Sequence, residues 1–153
     1  MEPPDDIFLN NFQNSSSEKI LNNVKNGEWD AILNGLCFTN GNCVMLNYMY
    51  FKHIGNNETY GYILNYITNN IDKVLELNNE FIVCVNMKTL TVIDVDKHKD
   101  YIKLISEIFK TKYPDKLAKC YVYNAPYIFS QIFNIVSMFI DKETQRKMVL
   151  VNV

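Results

Sequence analysis

Glycine is scarce in this chain. Of 153 residues only five are glycine, at positions 27, 35, 41, 55 and 61, and none falls in a Gly-x-Gly-x-x-Gly or Walker spacing. A phosphate cradle needs glycines at a strand-to-helix turn so that backbone N–H groups can close on the anion. Nucleotide binding of that kind is therefore excluded, and no Gly-x-Ser-x-Gly nucleophile elbow is present either. Histidine is scarcer still. His98 lies in the charged run DVDKHKD and reads as a solvated surface residue, while His53 follows an apolar run and reads as structural or exposed rather than catalytic. Asp94 and Asp96 read as helix caps in preference to an acid–base pair. Nothing assembles a catalytic site, so an enzyme is not expected.

Other absences narrow the field further. The four cysteines, at 37, 43, 84 and 120, lack any Cys-x-x-Cys spacing and read as reduced, buried thiols of a cytosolic protein rather than zinc ligands. No apolar run approaches the ~18 residues of a membrane span. The start, MEPPDDIFLNNF, is acidic and lacks the basic n-region of a secretory signal. Charge of one sign is missing too: 15 basic and 17 acidic residues leave a formal charge of −2. A nucleic-acid module is usually basic, so no nucleic-acid partner is expected.

What is present is an ordinary globular composition, 48% hydrophobic and 13% aromatic, at a length that fits one domain. Residues 1–36 read as a mobile N-terminus followed by short helices, and 37–153 as the folded domain. Ser15-x-x-Glu18 has the spacing of a capping box ahead of Ile20, Leu21 and Val24, with Gly27 ending that helix. Asp30 to Asn34 reads as a further turn capped by Gly35. Asn40-Gly41 suits a hairpin turn, and VMLNYMYF (44–51) reads as a strand. Residues 58–77 have helical spacing of apolar positions. EFIVCVN (80–86) reads as a buried strand. A helix capped by Asp94 or Asp96, with Tyr101, Leu104, Ile105, Ile108 and Phe109 on its stripe, runs to Pro114. KCYVYN (119–124) is a strand, a helix follows from Pro126 to about Phe139, Asp141 opens a turn, and KMVLVNV (147–153) is a last strand. Alternation of strands and helices predicts an α/β domain with a mostly parallel sheet, to which the hairpin adds an antiparallel piece.

The segment PYIFSQIFNIVSMFI (126–140) is chemically unusual because only Ser130, Gln131, Asn134 and Ser137 interrupt its apolar surface. A helix apolar nearly all round is either packed in a core or faces something apolar that is not protein. Tyr121 and Tyr123 share one face of the preceding strand, where they serve core packing or line a pocket.

Taken together, residues 80–152 resemble the CRAL-TRIO lipid-binding domain family of retinaldehyde-binding and yeast-type phosphatidylinositol-transfer proteins. The match is strongest in YPDKLAKCYVYNAPYIF (113–129), where Tyr113, Pro114, Leu117, Asn124, Ala125, Pro126 and Phe129 fit the family's Tyr-Pro-Glu-Arg-Leu, strand, Asn-Ala-Pro and Phe pattern. VNMKTLT (85–91) resembles its strand ending in Asp-Leu-Lys-Gly, with Asn86 for Asp and Thr89 for Gly. Asp141, Thr144 and Lys147 fit its Phe-Leu-Asp-x-x-Thr-x-x-Lys strand.

The resemblance implies a mixed, mostly parallel sheet covered by an apolar gate helix over a hydrophobic pocket. It further implies a non-enzymatic carrier that binds phospholipid and moves it between membranes, with phosphatidylinositol the favoured cargo. Such a carrier would be cytoplasmic, touching membrane surfaces transiently and holding no cofactor beyond its lipid. By the same resemblance the headgroup pair would be Asp115 and Lys147, and the pocket and gate would be built from Val83, Val85, Tyr121, Tyr123, Phe129, Phe133, Val136 and Phe139. Phe81 and Val83 stand where phosphatidylcholine-binding members carry Ser and Thr. The chain stops at Val153, ahead of the family's closing helix, so the pocket is expected to be more open or closed by a second copy of the chain as a homodimer. The rival expectation is a protein-docking module of the same fold without transfer activity.

Overall fold

The computed structural model describes residues 16–151. The readings for the first dozen residues, for Ser15, and for the end of the last strand lie outside the described residues. Chain order is α1 (Ser17–Lys25), α2 (Trp29–Leu36), β1 (Cys37–Asn40), β2 (Cys43–Asn47), α3 (Tyr48–Ile54), α4 (Tyr60–Leu77), β3 (Phe81–Asn86), α5 (Val92–Lys97), α6 (Lys99–Lys112), β4 (Leu117–Tyr123), α7 (Phe129–Val136), α8 (Lys142–Arg146) and β5 (Met148–Val151). The strands form one sheet in the order β1-β2-β3-β4-β5. β1 and β2 are antiparallel, and β2, β3, β4 and β5 pair in parallel.

This topology decides where the helices go. The three crossovers from β2 to β5 all advance in the same direction across the sheet. Crossovers share a right-handed sense, so their helices stack on one face. The larger core cluster lies on the helix face, with Val44, Phe81, Val83 and Leu117 from the strands and Ile63, Ile67, Ile71 and Val74 from α4. Met45, Ile82, Cys84, Tyr121 and Tyr123 form a separate cluster on the reverse face.

Several local expectations are corrected. The α1 cap is Ser16, whose Oγ accepts from Lys19 N. Gly35 lies inside α2 rather than capping it: the cap is Cys37, whose N–H donates to the Leu33 carbonyl, and the Tyr50 ring leaves no room for a Cβ at Gly35. The strand expected over 44–51 stops at Asn47, whose Oδ1 accepts from Met49 N and turns the chain into α3. Thr91, not Asp94 or Asp96, caps α5: its Oγ1 accepts from Asp94 N. The helix expected from Pro126 to Phe139 is shorter, Phe129–Val136. Phe129 N bonds the Pro126 carbonyl in a preceding turn, and beyond Ser137 the backbone closes i→i+3 bonds from Met138 N and Phe139 N. The hairpin at Gly41 (φ +59°) is as the sequence predicts, the helix expected over 58–77 starts at Tyr60, and Asp141 opens its turn as the cap of the short α8.

The carboxyl ends of the middle strands are locked by three asparagines. Asn124 Nδ2 donates to Asn86 Oδ1 at 2.9 Å, and Asn86 Nδ2 donates to Asn47 Oδ1 at 3.1 Å. Asn86 is fully buried and also accepts from Lys88 N. Burying amides is tolerable only with partners made, and here the ladder fixes the loops after β2, β3 and β4 in common register.

Candidate functional site

A cavity of about 260 Å³ lies between the helix face of the sheet and α7. Its floor is Leu46, Val83, Val85, Cys120 and Met148, drawn from four adjacent strands or their ends. The floor is apolar because these positions alternate onto one face of the pleat. Phe129, Ile132, Phe133, Val136 and Ile140 form the lid. Phe51 from α3 and Val95, Tyr101, Ile102, Ile105 and Phe109 from α5 and α6 make the walls. Cys120 is only half-buried because it faces this void, and desolvation pushes its thiol up to about 12. It is a neutral wall group rather than a nucleophile.

The lid is weakly seated. Only Ile132 of α7 is fully buried, and no side chain caps its first turn at Ile128. Its far end is tied down: Ser106 Oγ donates to the Phe139 carbonyl at 2.8 Å, and Gln145 Nε2 donates to the carbonyls of Ile140 (2.6 Å) and Ser137 (3.2 Å). An apolar helix with a free start and a tethered end has the build of a flap hinged at residues 137–140.

Of the residues expected from the sequence, the structure brings Val83, Val85, Phe129, Phe133 and Val136 together around the cavity. Tyr121 and Tyr123 are corrected: they are buried on the reverse face with Met45 and Cys84, because β4 places Cys120 and Val122 toward the helices and the two rings opposite. Phe139 sits past the end of α7 beneath Lys103 Nζ, 5.1 Å from the ring centre. Asp115 is exposed in the turn before β4, with φ +59°. Lys147 is half-buried, and its carbonyl accepts from Cys120 N. Among the described residues no ion pair joins Asp115 and Lys147, and neither lines the cavity.

The residues that sequence reasoning missed are on α3, α5 and α6. His98 is not solvated. It is 4% exposed and its Nδ1 lies 2.6 Å from Tyr60 Oη, with Phe51 edge-on at 4.8 Å. Burial, followed by Lys97, holds its pKa below the ordinary histidine value. The ring and the Tyr60 hydroxyl share one hydrogen bond at Nδ1, its direction set by the ring tautomer. A signal was available: Val95, His98, Tyr101 and Ile105 recur at helical spacing, but the flanking charges concealed it. Tyr48 and Asp94 also line the cavity, and Tyr48 was hidden inside an expected strand.

No helix among the described residues is long and apolar enough to cross a membrane. The family model "CRAL/TRIO domain" matches residues 43–153. The chain is similar to the Sec14 cytosolic factor of Schizosaccharomyces pombe, 33% identical over 63 residues that make up 41% of this chain and 22% of that protein. It is also similar to the phosphatidylinositol transfer protein SFH5 of Candida glabrata, 33% identical over 66 residues, 42% of this chain and 22% of that protein. The chain thus spans about a fifth of the length of these curated relatives. Among solved structures, the crystal structure of Sfh5 superposes with a TM-score of 0.62 at 23% identity, covering 71% of this chain and 41% of that one. That likeness carries the fold. With the strand order, the lid over an apolar floor and the matched span agreeing, this chain belongs to the CRAL/TRIO domain family.

Proposed function

We propose that this chain is a non-enzymatic carrier that takes a phospholipid, phosphatidylinositol by preference, from one membrane and releases it at another. The observation that carries the reading is the apolar cavity beneath α7. A soluble carrier must shield acyl chains from water at about 0.8 kcal/mol per methylene. For two chains of roughly 30 methylenes that amounts to more than about 20 kcal/mol. An apolar cavity of about 150 Å³ takes one benzene, so about 260 Å³ accommodates part of one chain. Full loading therefore requires α7 to lift, and the single buried residue and uncapped start of that helix make lifting inexpensive. Tyr127 and Met138, 99% and 75% exposed, flank α7 and give it an apolar rim to enter a bilayer surface. The carrier works in the cytosol, as the name Sec14 cytosolic factor says of that relative. Lys147 contacts the phosphoinositol and Asp115 accepts from its hydroxyls, both from outside the lining of the unloaded cavity.

The test is transfer of labelled phosphatidylinositol between vesicles by the full chain, with phosphatidylcholine as the comparison. Transfer with a preference for the inositol lipid is expected, reduced about tenfold or more by Lys147→Ala. No transfer of either lipid would refute the carrier reading. Unchanged transfer by the variant would remove Lys147 from it. The small volume favours one alternative, a docking module that keeps the fold without cargo; it would show no co-purifying lipid and no transfer.

A further inference from the structure

The reverse face of the sheet, away from the cavity, carries a sulfur cluster for which lipid carriage has no use. Register sets it up. β2 and β3 pair in parallel with Met45 opposite Cys84 and Cys43 opposite Ile82, so Cys43, Met45 and Cys84 share that face. Met45 and Cys84 are fully buried there, and Cys43 packs against them half-buried at the start of β2. Neither cysteine is in a disulfide. The Cys84 thiol hydrogen-bonds to Cys43, which lowers the Cys43 pKa to about 7 against the opposing effect of burial. The same bond foremost, and then burial, hold the proton on Cys84. As a thiol, Cys43 donates instead to Asn42 Oδ1 at 3.8 Å. The Tyr123 hydroxyl makes a further hydrogen bond to Cys84.

Geometry separates two uses of such a pair. Cys43 and Cys84 are a two-residue register step apart, which with the strand spacing puts their Cα atoms about 8 Å apart. A disulfide cannot bridge more than about 7 Å unless the backbone moves, and both strands are held in the sheet. A metal ion needs no such closure. Two thiolates on one ion sit up to about 4.6 Å apart, twice a bond of about 2.3 Å, a span that sulfurs in hydrogen-bond contact already approach. Ligand chemistry then selects the ion. Among the described residues no group of three or more His, Cys, Asp or Glu is placed to hold a metal, so the donors that would complete a tetrahedral zinc site or an octahedral one are missing. Two thiols and a thioether are soft donors, the set that selects monovalent copper. Half-exposed Cys43 supplies the way in.

We propose that Cys43, Cys84 and Met45 form a binding site for a single Cu(I) ion on the reverse face of the sheet. Binding releases the Cys84 proton to solvent, and the Cys43 proton where it is held, and changes no oxidation state. The Tyr123 hydroxyl then supports the Cys84 thiolate as an outer-shell donor. The site lies on the opposite face from the cavity and stands whether or not the cavity takes lipid.

The experiment titrates the full chain, reduced, metal-free and kept anaerobic, with Cu(I) in competition with a colorimetric Cu(I) chelator. The protein is expected to take a single equivalent from the chelator. Cys43→Ser and Cys84→Ala should each weaken binding more than about 100-fold, beyond the loss of an outer-shell partner, and Met45→Leu about tenfold. Cys37→Ala, which removes a thiol from the helix-face core, should bind as the parent does. Cys43 is half-exposed, so Cys43→Ser keeps the test standing should Cys84→Ala fail to fold. Failure of the parent to take Cu(I) from the chelator, tighter binding of Zn(II) than of Cu(I), or undiminished Cu(I) binding by Cys43→Ser would each overturn the site.

Discussion

Replacing Val85 by Phe fills the cavity from its floor. Val85→Phe exchanges an isopropyl for a benzyl group within the cavity of about 260 Å³, a net gain of about four carbons, and at ~0.8 kcal/mol per buried methylene it should recover up to about 3 kcal/mol. At roughly 2–4 °C per kcal/mol for a chain of this size, the delipidated variant should melt about 6–12 °C higher. Overpacking of the lid would reduce the gain by about 1–3 kcal/mol. The same ring displaces on the order of four acyl methylenes at ~0.8 kcal/mol each, or about 3 kcal/mol. Lipid affinity should then fall more than about 100-fold. Differential scanning calorimetry of delipidated protein and vesicle extraction measure the two effects. A variant that melts higher and still extracts lipid as well as the parent would separate cargo from cavity and refute the reasoning.

Other expectations follow from single residues. Thr89 has φ +72°, a left-handed conformation that costs a β-branched residue ~1–2 kcal/mol. After ~0.5–1 kcal/mol of glycine entropy, Thr89→Gly should be neutral or stabilise by up to about 1 kcal/mol in urea titration; destabilisation would show that the side chain is needed. Asn86→Asp puts an acceptor against Asn47 Oδ1, which already accepts from Met49 N. It should destabilise by about 2–4 kcal/mol at pH 7, and an unchanged melting temperature would break the ladder argument. The pKa of His98 is lowered by burial, so between its folded value and ~6.5 the unfolded chain binds more protons. Stability is complete above pH ~6.5 and falls on acidification by up to about 1.4 kcal/mol per pH unit. Urea midpoints flat from pH 7.5 to 5.5 would place this histidine in solvent.

The floor and lid were readable from the chain because alternation and composition report burial locally. EFIVCVN announces a strand buried on both faces, and the segment after Pro126 announces a helix with nothing polar to show. The walls were not readable. Tyr48 is cavity lining only because Asn47 Oδ1 accepts from Met49 N and turns the chain out of β2, a side-chain capping choice that periodicity cannot see. His98 is surrounded by charge in sequence and by rings in space, since α5 and α6 meet at it. Tyr121 and Tyr123 were assigned a shared face correctly, but which face met the helices was not a property of the strand.

The sequence by itself determined the order of strands and helices, the sheet's mostly parallel character and the apolar lid, because each follows from residue spacing within one element and from the fixed hand of crossovers. Tertiary structure alone decided that a void remains beneath that lid, that the two tyrosines turn away from it, and that His98 is buried among rings beside it. Those are outcomes of how separate elements fit, and fit depends on volumes and angles summed across contacts that no short stretch of sequence contains.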